Sequence, residues 1–78
     1  MKIQVKLFAT LKKYISDNDR GVTELVMPEP ARVCDVLDQL GIPGDIPKII
    51  LVNGVQKEPD DILAQGDCLS IFPPIAGG

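Results

Sequence analysis

Gly77 and Gly78 close the chain, directly after Phe72-Pro73-Pro74-Ile75-Ala76. Two glycines make a backbone with no side chains and little steric restriction. Such a stalk threads a narrow channel. Its end presents an α-carboxylate, ionised at neutral pH because the reference pKa is about 3.3–3.7. The chemistry open to that group is activation by another protein's nucleotide, which turns one carboxylate oxygen into a leaving group. Terminal glycines also occur as frayed ends without a role, so the rest of the chain decides between the two readings.

Little else in the sequence is equipped for catalysis. There is no histidine, which removes the commonest general base and metal ligand. The two cysteines, Cys34 and Cys68, are far apart and in no metal-ligand spacing. They read as small half-buried residues, with a disulfide or a reactive thiol as the alternatives. With no tryptophan, one tyrosine and two phenylalanines, there is little to line an aromatic ligand pocket. Gly77-Gly78 has no following lysine or helix, so nothing resembles a phosphate-cradling loop. The chain therefore reads as a substrate and carrier, not a catalyst by itself, and no metal or bound cofactor is expected.

The formal net charge is −3. That weighs against nucleic acid, since phosphate neutralisation needs clustered Lys and Arg. A basic protein partner fits better. Asp60, Asp61 and Asp67 are carboxylates that would meet one, although a solvated face explains them equally. No apolar run approaches the ~20 residues of a membrane span. The start, Met1-Lys2-Ile3-Gln4-Val5, alternates and is no signal peptide. No membrane role is expected, and the cytoplasm is the expected location.

Seventy-eight residues allow one small domain with a thin core. It spans residues 1-72, with 73-78 as a flexible projecting tail. Lys2 to Phe8 alternates strictly: Ile3, Val5 and Leu7 face one way, Lys2, Gln4, Lys6 and Phe8 the other, the pattern of a half-buried strand. Thr10 to Ser16 reads as a short helical piece, and Ser16 to Gly21 as a polar loop. Val22 to Met27 is a second strand, stopped by Pro28 and Pro30. Arg32 to Leu40 is the main helix, with Val33, Val36, Leu37 and Leu40 as its apolar stripe. Gly41 is its left-handed cap and Ile42 the apolar lid. Its N-terminus reads as weak, because Ala31 stands where Ser, Thr or Asp is preferred. Lys48 to Val52 is a nearly continuous apolar run, read as a well-buried strand. Asn53-Gly54 marks a type I′ hairpin turn into Val55-Gln56. Glu58 to Gln65 reads as a loop with a short helical turn that buries Ile62 and Leu63. Cys68 to Phe72 is the last strand, ended by Pro73-Pro74.

The order β-β-α-β-β-β needs one sheet face covered, and the single main helix covers it. The expected fold is α+β: a β-grasp, ubiquitin-like roll with a mixed sheet on one main helix. The first and last strands then lie side by side and parallel. Ile3, Val5, Leu7, Val33, Val36, Leu37, Ile50, Val52, Leu69 and Ile71 are expected to share one core. Parity puts Phe8 and Phe72 together on the open face, beside the tail, as a docking patch. Twisting of the strand ends, tucking one ring inward, is the alternative.

The whole chain resembles the bacterial ubiquitin-like sulfur carriers. The resemblance rests on Leu7-Phe8-Ala9-Thr10-Leu11 at the exit of strand one, Val33 to Leu40 as the central helix, and Leu51-Val52-Asn53-Gly54 as the hairpin. Gly66-Asp67 before the final strand and the closing Phe72-Pro73-Pro74-Ile75-Ala76-Gly77-Gly78 complete it. The double proline and the Leu-Phe-Ala exit are most similar to the molybdopterin synthase small subunit. The thiamin thiazole sulfur carrier is the other main branch. The resemblance implies that a ubiquitin-activating-like enzyme adenylates Gly78 with ATP and magnesium. A sulfur donor protein then displaces AMP, leaving a thiocarboxylate. In the molybdopterin branch the tail enters a large catalytic subunit and delivers sulfur to a pterin precursor. Gly77 keeps the stalk thin, Ile75 and Ala76 anchor it in an apolar groove, and Pro73 and Pro74 hold its exit direction.

Three alternatives use the same residues. The chain serves thiamin thiazole or another sulfur pathway; or it is a ubiquitin-like modifier, with Gly78 joined to a lysine; or it is a plain interaction module with an incidental tail. Protein conjugates recovered from cells favour the modifier, and an activity-neutral loss of Gly78 favours the module.

Overall fold

The computed structural model describes residues 1–15 and 21–74. The elements are β1 (Lys2–Leu7), a 3-10 helix (Ala9–Tyr14), β2 (Val22–Val26), α1 (Val33–Leu40), β3 (Ile49–Val52), β4 (Val55–Gln56) and β5 (Cys68–Phe72). They form a five-stranded sheet in the order β2-β1-β5-β3-β4. β1 and β5 are parallel, in register from Gln4 opposite Cys68 to Leu7 opposite Ile71. The other pairings are antiparallel. This is the expected mixed β-grasp sheet with one covered face.

Burial follows the pleat. Ile3, Val5 and Leu7 from β1, Leu69 and Ile71 from β5, and Ile50 and Val52 from β3 are buried with Val33, Val36 and Leu37 of α1. All ten expected core residues are there. Leu11, Met27, Ala31, Ile42 and Leu63 complete the core.

The start of α1 is better secured than its sequence suggests. Arg32, the residue before the helix, donates its backbone N–H to Asp35 Oδ2 at 2.8 Å. The next two donors are taken by the loop before β5: Val33 N–H by Asp61 O at 3.1 Å, Cys34 N–H by Pro59 O at 2.9 Å. Tertiary carbonyls thus replace the missing side-chain cap. At the other end Gly41 is left-handed, with φ 79°, and Ile42 donates to Leu37 O at 2.9 Å while closing the core.

Two sequence expectations need correction. β3 is not buried on both faces. Ile49 is 37% exposed and Leu51 half-buried, because α1 covers only one side of the sheet. The segment before β5 has no helical turn: Ile62 forms an isolated bridge with Arg32. Extended backbone alternates its side chains, so Leu63 is buried and Ile62 is 64% exposed.

Asn53 (φ 52°) and Gly54 (φ 84°) take the left-handed geometry of a type I′ turn. Asn53 also clasps the turn to β5. Its Nδ2 donates to Asp67 Oδ1 at 3.0 Å, and its Oδ1 accepts from Cys68 N–H at 2.9 Å. Asn53→Gly keeps the backbone geometry and removes both bonds. It is expected to cost about 1–2 kcal/mol, read as a lower denaturation midpoint with unchanged slope.

Candidate functional site

β1 and β5 run to the same pole of the sheet, so their last side chains arrive together. Phe8 follows β1 and donates its N–H to Ile71 O at 3.2 Å. Phe72 ends β5, opposite Ile49 of β3. Leu7 and Ile71 point into the core, so Phe8 and Phe72 stand on the open face. Their rings stack with centroids 4.2 Å apart and planes 10° from parallel. Neither ring tucks inward; each covers one face of the other, and both are half-buried. The chain turns away from the sheet at Ala9, whose φ is 55°, a left-handed conformation uncommon for alanine.

Ile49 and Leu51 extend the aromatic pair across the open face, an apolar strip at the end of β5. Pro73, half-buried, and Pro74, exposed, leave the sheet from it. The remaining expected site residues, Ile75, Ala76, Gly77 and Gly78, lie outside the described residues. The geometry therefore brings together Phe8, Phe72, Pro73 and Pro74 at the root of the tail.

The stack is expected to register in a double-mutant cycle. Phe8→Ala, Phe72→Ala and the pair should show a coupling of about 0.5–1.5 kcal/mol in stability. Purely additive losses in denaturant unfolding would mean that the rings contribute burial alone.

Gly21 carries a constraint that the reading of its loop as merely polar missed. Its φ is 82°, and a Cβ there would lie 2.6 Å from Leu7 O and 3.2 Å from Lys12 Cε. The backbone just before β2 thus meets the exit of β1 where no side chain fits. Gly21→Ala is expected to cost about 1–3 kcal/mol, measured as a fall in unfolding free energy. The sequence signal was the glycine itself, closing a polar run just before a strand.

Other candidate groups have structural explanations. Asp67 Oδ2 accepts from Ala64 N–H at 2.8 Å and Asp61 Oδ2 from Glu58 N–H at 2.7 Å. Both carboxylates hold turns together, so of the three expected at a partner surface only Asp60 is without such a bond in its turn. Cys34 and Cys68 are free thiols, each half-buried. Among the described residues, no three His, Cys, Asp or Glu side chains are placed to hold a metal ion. No helix among them is long and apolar enough to cross a membrane.

A cavity of about 530 Å³ lies between Met1, Glu29, Pro30 and the segment Ile62 to Gln65. That is the pole where β1 and β5 begin, opposite the tail. It offers one carboxylate and no hydroxyl, thiol or lysine amine as a nucleophile.

Comparison with known proteins agrees with this fold. The sequence matches the ThiS family over residues 5–78. Among curated protein sequences, none matches. SAMP1 from Haloferax volcanii is similar in structure, with a TM-score of 0.77 and 25% identity over 100% of both chains. A putative molybdopterin converting factor, subunit 1, from Pyrococcus furiosus has a TM-score of 0.74 and 27% identity, over 95% of this chain and 98% of that one. The small archaeal modifier protein 1 of Methanosarcina acetivorans has a TM-score of 0.65 and 27% identity, over 99% and 96% of the two chains.

Proposed function

This chain belongs to the ThiS family, ubiquitin-like carriers that are not enzymes in themselves, and from that membership we propose that Gly78 is the point at which it carries sulfur. A partner enzyme joins the terminal carboxylate to the adenylate of ATP, with magnesium, and pyrophosphate leaves. A sulfur donor protein then displaces AMP, and Gly78 becomes a thiocarboxylate. The acceptor we favour is a pterin precursor held by the large subunit of molybdopterin synthase. The Pyrococcus furiosus neighbour and the Leu-Phe-Ala and Pro-Pro motifs support that branch.

The observation that carries the reading is the exit of Pro73-Pro74 beside the Phe8–Phe72 stack. The carboxylate needs a leaving group that this chain does not supply, so the partner's nucleotide site must reach it. A side-chain-free stalk allows that approach and lets a closed channel keep water from the thioacid. The stacked rings and Ile49 form the apolar surface against which a channel mouth closes. Pro73 and Pro74 limit the conformations lost on entry.

The two modifier proteins among its structural neighbours favour a second reading, in which activated Gly78 is joined to a lysine of another protein. Intact mass separates the two. Given an adenylating partner, ATP and a sulfur source, the carrier gains the mass of one oxygen-for-sulfur exchange at its terminal carboxylate. A modifier gives lysine-linked conjugates instead. An unchanged mass and no conjugates would defeat both readings.

A further inference from the structure

A groove of about 260 Å³ opens on the side of Phe8 toward β2, lined by Lys6, Leu7, Phe8, Lys12, Gly21 and Val22. We propose that it receives an acidic segment with one apolar side chain, belonging to the protein that takes the tail; this rests on the carrier reading above.

Among the described residues, the charge at this pole runs against that of the whole chain. Net charge is −3, yet the stretch from Lys6 to Ile15, at the end of β1, holds three of the eight basic side chains and no carboxylate. Among the described residues the groove lining carries two ammonium groups and no acid. Its apolar lining comes from Val22 and the ring of Phe8. Lys6 sits opposite Val22 of β2 and Ser70 of β5, on the same sheet face as Phe8. The stem of Lys12 lies over Gly21, where a Cβ would come within 3.2 Å of Cε and 3.3 Å of Cγ. That contact positions the stem before any partner arrives, which reduces the ordering cost of an ion pair.

Two other lysines, Lys48 and Lys13, are engaged locally. The ammonium of Lys48 donates to Ile46 O at 2.6 Å and Gly44 O at 3.3 Å. That of Lys13 lies 5.4 Å from the centre of the Tyr14 ring. Lys6 and Lys12 are the pair that flank this apolar lining. Two positive sites around it match two carboxylates around a leucine-like side chain. Phe8 lines the groove and also stacks on Phe72, so a segment seated there lies against the tail root. Pairs of this kind select the partner and speed its approach.

The test is an NMR titration of the full-length chain with a capped synthetic peptide of glutamates around one leucine, beside its lysine counterpart. The glutamate peptide is expected to move the amides of Lys6, Phe8, Lys12 and Val22. Those shifts should fade as salt rises and disappear in Lys6→Glu/Lys12→Glu. Lys12→Gln, which keeps most of the stem over Gly21, should weaken them without lowering the melting temperature. Against the adenylating enzyme, the double reversal should raise Kd about tenfold or more, while Asp60→Lys leaves it unchanged. Groove shifts with the lysine peptide, or none with the glutamate peptide, would overturn the proposal. So would groove shifts caused by removing residues 75–78, since the occupant would then be the chain's own tail. Failure of the wild-type chain to acquire sulfur would instead count against the carrier reading, and the peptide titration reads the groove independently of it.

Discussion

A chain lacking Gly78 is expected to acquire no sulfur at all and to melt within about 1 °C of the intact protein. The two halves of that result have separate causes. Loading fails because the activatable carboxylate has moved back by one residue, short of the nucleotide that must reach it. Reach is limited: each extended residue spans at most about 3.3–3.6 Å. Stability is kept because the buried core lies between Ile3 and Ile71. Gly77→Val should impair loading as well, since a β-branched side chain stiffens the backbone and thickens the stalk. Intact mass after incubation with the adenylating partner, alongside a thermal melt, reads both effects. Full restoration of the pathway by the Gly78-deleted chain, in a host lacking the wild-type protein, would remove the terminal carboxylate from the function.

The second large effect is expected from Leu37→Ala, at about 2–5 kcal/mol. Leu37 is 3% exposed and lies on α1, the helix that covers the sheet. The lost side chain leaves a cavity that the strands opposite cannot close without moving together. A domain of this size has roughly 4–12 kcal/mol in total, so the variant should be partly unfolded near physiological temperature. Val26→Ala is the contrast: the residue is 75% exposed on β2, and its loss should stay within about 0.5 kcal/mol. Denaturant curves of equal slope for both variants would give the comparison directly.

Much of this architecture is legible in the chain because the signals are local and repeated. Ile3, Val5 and Leu7 alternate, Val33, Val36 and Leu37 recur with helical period, and Asn53-Gly54 names its own turn. Parity alone places Phe8 and Phe72 on the open face; their stacking depends on the parallel register of β1 with β5, which no local pattern carries. Ile49 to Val52 misleads because an apolar run has the same appearance whether both faces are covered or one serves as a docking strip. Ile62 misleads for a related reason: apolar residues adjacent in sequence point to opposite sides of extended backbone, and only Leu63 reaches the core. The helix start looked weak because its donors are satisfied by Asp61 O and Pro59 O, more than twenty residues away. Net charge concealed the lysines at the tail pole, because a sum over the chain erases their position.

The parallel pairing of β1 with β5 also has a mechanical consequence. A pull on the tail enters the fold through β5, a central strand held on one side by β1 and on the other by β3. If the pull is resisted at the N-terminal end of β1, the two parallel strands are drawn in opposite directions along their length. The ladder from Gln4–Cys68 to Leu7–Ile71 is then loaded in shear, so its bonds share the force rather than opening one after another. Edge strand β4, with only two residues in its ladder, is outside that line of force. A motor drawing this protein in by its glycines would meet its strongest resistance in the first few ångströms of travel.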